Sequence, residues 1–285
     1  MIEINRSVLL PNLLTLGNGI CGFYALTQLF RVELVDGGGP LEFTVPAAFA
    51  AAAWAVLLGM VFDVFDGKVA RLSGGGTALG AQLDSLCDLV TFGLVPAAMM
   101  IRLNMGYEPT WQRVVWFFSL AYFVGAILRL ARFTAENGPE EEEHLAFKGL
   151  PSPAAAGCVA SLVIFYRYVE AFRAPELQWL LSTQAEIQRW VAHVPAALPV
   201  LGIVLGFAMV SDRLRCPHVG TLFLQRKQSF DVFVYLIFGA ILVAVVPEVV
   251  FPVLFLGYLV SMPAVAVYRA VVDRRGAAAL PHDNT

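Results

Sequence analysis

Long apolar runs, broken by short polar stretches, dominate the chain, and neither a helical nor a strand period organises them. Such a run reads as a helix surrounded by apolar material, and ~20 residues of it cross a hydrocarbon core of ~30 Å. Eight spans stand out, at roughly residues 9–30, 45–65, 79–101, 114–130, 153–169, 194–210, 230–246 and 249–267. Only Pro247 and Glu248 separate the last two, a turn that predicts an antiparallel pair. The expected fold is all-α: a polytopic membrane bundle of about eight transmembrane helices, forming one domain over residues 1–275 with a polar tail at 276–285. The first ten residues lack a strongly basic stretch, and the apolar run after them is long and shows no small-residue cleavage site. It is expected to be a retained first helix.

Composition agrees with that pattern. Hydrophobic residues make up 58% of the 285 and charged residues 14%, with a mean hydropathy of +0.71, an excess that a soluble core cannot bury. A net charge of -3 leaves no basic footprint for nucleic acid. Cys21, Cys87, Cys158 and Cys216 are scattered in or beside apolar runs without CxxC spacing, which suggests neither a disulfide framework nor a zinc site. His144, His193, His218 and His282 show no paired ligand spacing and receive no catalytic role. Lys and Arg gather on one set of loops, among them Arg6, Lys68, Arg71, Arg129, Lys148, Arg226 and Arg275, while the opposite set holds Arg31, Arg102, Arg113, Arg167, Arg173 and Arg189. Basic loops stay cytoplasmic, so both termini are expected there, in an integral plasma (inner) membrane protein. The Gly-rich tracts at Gly37 and Gly74 read as turns, and the acidic run Glu140 to Glu143 as a solvated hinge.

One polar constellation does not fit a purely structural membrane helix. Asp63 and Asp66 end the second span, and Asp84 and Asp88 begin the third. Each buried charge costs several kcal/mol unless compensated. The three- and four-residue spacings project each pair from one helix face, and the turn from Ser73 to Gly76 predicts two antiparallel helices with those faces opposed. With Lys68 and Arg71 the only basic residues close in sequence, divalent cations are the better compensation. All-oxygen ligation favours Mg²⁺ or Mn²⁺, and two ions for four carboxylates suit a two-metal clamp on phosphoryl groups. Gly67, Ala70 and Gly80 leave room beside such ions, and the Arg71 guanidinium offers a fork for phosphate oxygens. Interhelical salt bridges would explain one intramembrane aspartate more readily than four. An ion path is the second functional reading, although clustering at one membrane face fits a mid-bilayer transport site poorly.

The pattern Asp63-x2-Asp66-Gly67-x2-Ala70-Arg71-x8-Gly80-x3-Asp84-x3-Asp88 resembles the full signature of the CDP-alcohol phosphotransferases. The resemblance implies a helical membrane enzyme that moves a phosphatidyl-type group from a cytidine diphosphate donor to an alcohol and releases CMP. Segments 11–18, 128–133 and 147–155 are similar to those of phosphatidylserine synthases, which implies CDP-diacylglycerol and L-serine as substrates. Glycerol phosphate, inositol phosphate or choline are the alternative acceptors. The resemblance further implies that Asp63 and Asp84 bridge two metals, that Asp66 serves the first, and that Asp88 serves the second and acts as general base. Asn12, Thr15, Gly67, Arg71, Thr77 and Gly80 would contact the nucleotide lipid. Arg129, Arg132 and Lys148 would hold phosphate or the serine carboxylate, with ordinary positive-inside anchoring as the competing explanation. A homodimer is implied as well.

Overall fold

The computed structural model describes residues 6–31, 47–72, 77–136, 149–171, 189–211 and 230–278. Among them are helices α1 (Arg6–Phe30), α2 (Ala47–Leu72), α3 (Ala78–Asp88), α4 (Val95–Leu103), α5 (Pro109–Glu136), α6 (Ser152–Ala171), α7 (Val194–Val210), α8 (Phe230–Val245) and α9 (Pro247–Ala278), and no strand. A π-helical turn, Leu89–Leu94, joins α3 to α4 without a break, so that the two cross as one rod from Ala78 to Leu103. Five helical stretches are long and apolar enough to span a membrane: Leu9–Phe30, Ala47–Ala70, Ala78–Leu103, Pro109–Ala135 and Ser152–Glu170. Val194–Val210, Val234–Val245 and Pro247–Met262 are shorter apolar helices, so each predicted span has a helical counterpart. The protein is a polytopic helical bundle.

Side chains are distributed as lipid solvation requires. Ile20, Phe23, Phe117 and Phe207 face outward, while Tyr122, Phe92, Met99, Met100, Leu205 and Met209 are buried. In lipid an apolar surface gains little by leaving its solvent, so helices associate through close packing of small residues. Gly125 of α5 and Gly206 of α7 show this: a Cβ on Gly125 would stand 2.7 Å from the Gly206 carbonyl oxygen. On α1, a Cβ at Gly19 would lie 2.8 Å from the Cys87 sulfur, and one at Gly22 would strike Thr91. Glycine is required at Gly149 for another reason, its φ of 84°, which lets the Leu150 N–H reach the Ala208 carbonyl at 3.0 Å and seats the entry to α6 on the end of α7.

One expectation is extended and one needs correction. The acids of the two carboxylate-bearing helices do meet, but these helices do not form the site alone. Helix α1 packs against both, most extensively against α2. The pattern of charges could not show this, because nothing in the spacing of aspartates says which third helix joins them. The last two helices also differ from an antiparallel pair set apart by a turn. A single residue, Val246, separates them, its N–H bonded to Leu242 and its carbonyl accepting from Val249 and Val250. Pro247 then begins α9, as its missing N–H allows, and α9 packs more on α6, where Phe255 fills the space left by Gly157, than on α8. Helix α9 continues to Ala278, past the expected start of the tail. The turn 73–76, the acidic run, Cys216, His144, His218, His282 and Lys148 lie outside the described residues.

Candidate active site

Helix α2 carries Asp63 and Asp66 near its C-terminal end, and α3 brings Asp84 to the same place. One carboxylate oxygen from each of the three lies within 4.8 Å of the others. Asp66 is buried, yet its Oδ2 has no hydrogen-bond partner, and the Oδ1 of Asp84 is likewise buried and unpartnered. Converging carboxylate oxygens left without donors are expensive in an apolar setting. They are also a set that a hard divalent cation satisfies, so the residues present fit the metal that their spacing suggested.

Asp88 stands outside that group of three. It is buried one helical turn beyond Asp84, and its Oδ1 accepts a 2.8 Å hydrogen bond from the Asn18 side-chain amide. It still interacts electrostatically with Asp63, Asp84 and Asp66. Asn18 has no solvent exposure, and the site reading from sequence gave it no role. A signal was present: Asn12, Thr15 and Asn18 recur at three-residue intervals within a largely apolar stretch of α1.

That polar stripe of α1 touches the site along its length. The Asn12 side-chain oxygen is 3.0 Å from where a Cβ on Gly80 would stand. Thr15 is buried, donates to the Pro11 carbonyl at 3.1 Å, and lies beside the Asp66 carboxylate. Thr77 caps α3, accepting the Gly80 N–H at 3.1 Å; this satisfies one of the free amides at a helix start and leaves the hydroxyl proton available to another group. Gly67 faces open space, with nothing within 4 Å of an added Cβ. Arg71 follows one turn later on α2, but its side chain lies outside what the structure describes.

Arg129 reaches the site from α5. It donates to the Ser152 hydroxyl at 3.2 Å, and its charge acts on Asp63. Arg132 is half-buried on the next turn. Ser85 and Thr134, with hydroxyls 3.2 Å apart, tie α3 to the same end of α5. Below the carboxylates the π turn is fixed from two sides. The Tyr122 hydroxyl donates to the Phe92 carbonyl at 2.8 Å, and the Thr91 hydroxyl donates to the Asn18 carbonyl at 3.0 Å.

A family model described as CDP-alcohol phosphatidyltransferase matches residues 8–201. This covers every aspartate of the site and more than half of the chain. The chain belongs to the CDP-alcohol phosphatidyltransferase family. Three relatives carry the name CDP-diacylglycerol--serine O-phosphatidyltransferase. The Saccharomyces cerevisiae protein is 33% identical over 168 residues, covering 57% of this chain and 56% of its own length. The Helicobacter pylori strain J99 protein is 28% identical over 172 residues, 59% of this chain and 64% of its own. The Bacillus subtilis protein is 29% identical over 185 residues, 65% of this chain and 92% of its own. The chain thus spans less than two thirds of the first two relatives. The family match ends within α7, and α8 and α9 lie outside the matched residues.

Proposed function

We propose that this protein transfers the phosphatidyl group of CDP-diacylglycerol to the hydroxyl of L-serine, giving phosphatidylserine and CMP. The observation that carries the reading is the group of three convergent carboxylates with unpartnered oxygens inside a family-matched segment. Asp63, Asp66 and Asp84, together with Asp88, would hold two Mg²⁺ or Mn²⁺ ions. Bound there, divalent ions supply positive charge against the negative charge that builds on the diphosphate oxygens.

The chain's own residues do the rest. Asn12, Thr15, Gly67, Arg71, Thr77 and Gly80 bind the nucleotide lipid: Gly67 leaves the space for it, and the polar stripe of α1 lines it. Arg129, Arg132 and Lys148 orient the acceptor through its carboxylate or the phosphate. Asp88 takes the hydroxyl proton as the serine oxygen bonds to phosphorus and the bond from phosphorus to the CMP oxygen breaks. The basic loops put this chemistry at the cytoplasmic face of the plasma membrane, and the protein is expected to work as a homodimer.

The test is purified protein in mixed micelles with CDP-diacylglycerol and separate alcohols: serine, glycerol phosphate, inositol phosphate and choline. CMP release is expected with serine and to stop on chelation. Release with another alcohol alone moves the acceptor assignment, and metal flux in vesicles without CMP would replace the enzyme reading altogether.

A further inference from the structure

We propose that Asn18 is the positioning residue for Asp88, holding one oxygen of that carboxylate so that the other is presented to the acceptor hydroxyl. This rests on the reading of Asp88 as the base. The Asn18 amide donates to Asp88 Oδ1 at 2.8 Å from a different helix, 70 residues away in sequence, and Asn18 is entirely buried. Its place is tightly defined. On one side the Thr91 hydroxyl holds the Asn18 carbonyl at 3.0 Å. On the other is the backbone of Gly59 in α2, where a Cβ would lie 2.9 Å from Asn18 Oδ1 and 2.8 Å from Thr91 Cγ2. Gly22, one turn on, gives Thr91 its room, since a Cβ there would strike the threonine hydroxyl. Two glycines and a threonine therefore confine an amide whose N–H points at the one aspartate outside the three-carboxylate group.

The consequence is a division between the acids. Asp63, Asp66 and Asp84 converge on a shared point, while Asp88 is turned by Asn18 with a donor already on one oxygen. A carboxylate held at one oxygen keeps a single rotamer, and proton transfer depends on that placement. Interhelical amide bonds in membranes also act as packing glue, so the experiment must separate positioning from mere adhesion.

Two measurements do so. In CMP release, Asn18→Ala and the near-isosteric Asn18→Asp are expected to lower kcat about 10- to 100-fold, the range seen when the hydrogen-bonded partner of a metal-ligating side chain is lost, with KM for CDP-diacylglycerol within about twofold of wild type. A kcat within about twofold of wild type overturns the proposal, as does a loss confined to donor KM. Independently of activity, Asn18→Ala, Asp88→Ala and the double variant are melted in detergent with chelator present. If the two residues act as a pair, the double variant melts no lower than the less stable single one; fully additive losses overturn the proposal. Should wild type release no CMP with any alcohol, the assigned reaction fails while the melting cycle still decides whether Asn18 holds Asp88.

Discussion

Gly67→Ala separates the stability of this bundle from its chemistry, because the two should move in opposite directions. Gly67 lies in the interior of α2, next to Asp66, and an added Cβ would meet nothing within 4 Å. A glycine inside a helix is about 0.5–1 kcal/mol worse than alanine. With no clash to offset it, the substitution should return most of that, and at ~2–4 °C per kcal/mol for a chain of this size the melting temperature should rise roughly 1–4 °C. Activity should fall. The same open space is where the donor is proposed to lie, and a methyl forced into an occupied volume costs about 1–3 kcal/mol, or about 5- to 150-fold in kcat/KM. The assay pairs a thermal melt with CMP release over a CDP-diacylglycerol titration. Raised stability with wild-type kcat/KM would show that no ligand uses the space beside Gly67. Lowered stability would refute the packing premise itself.

Two other substitutions probe the remaining parts. Asp66→Asn should abolish at least ~100-fold of the activity, yet in chelator it should melt no lower than wild type, since it removes one of three mutually repelling carboxylates; adding Mg²⁺ should then raise the melting temperature of wild type and not of the variant. Gly206→Ala should lower stability by about 1–3 kcal/mol, because its Cβ would press the α5 backbone at 2.9 Å from the Ala121 carbonyl oxygen; an unchanged melting curve would mean that α5 and α7 are not locked at this crossing.

How much of this was legible in the sequence follows from the range over which each force acts. Hydropathy is a property of one segment at a time, and the spans matched by the five long helices were readable for that reason. The carboxylate spacings were readable too, since a charge in an apolar run demands compensation wherever it lies. The cap at Thr77 is visible in principle, as a threonine preceding a helix with an amide three residues on. What local pattern could not supply is the identity of the neighbour. Asn18 and Asp88 meet across 70 positions, and the π turn Leu89–Leu94 carries no signature of its own; Thr91 and Tyr122 hold it by bonds to other helices.

The polar stripe of α1 shows why that missing information matters to function. At three-residue intervals each successive side chain turns by ~60° around a helix of 3.6 residues per turn, so Asn12, Thr15 and Asn18 need not share a partner. They do not: Asn12 meets Gly80, Thr15 lies by Asp66, and Asn18 holds Asp88. A stripe that rotates as it descends can serve α2 and α3 together only if α1 packs against both, close enough to α3 and the π turn that glycine is needed at Gly19 and Gly22. The aspartates mark where charge must be handled, but their separation into a group of three and one held apart depends on the helix that bears no charge in its membrane span.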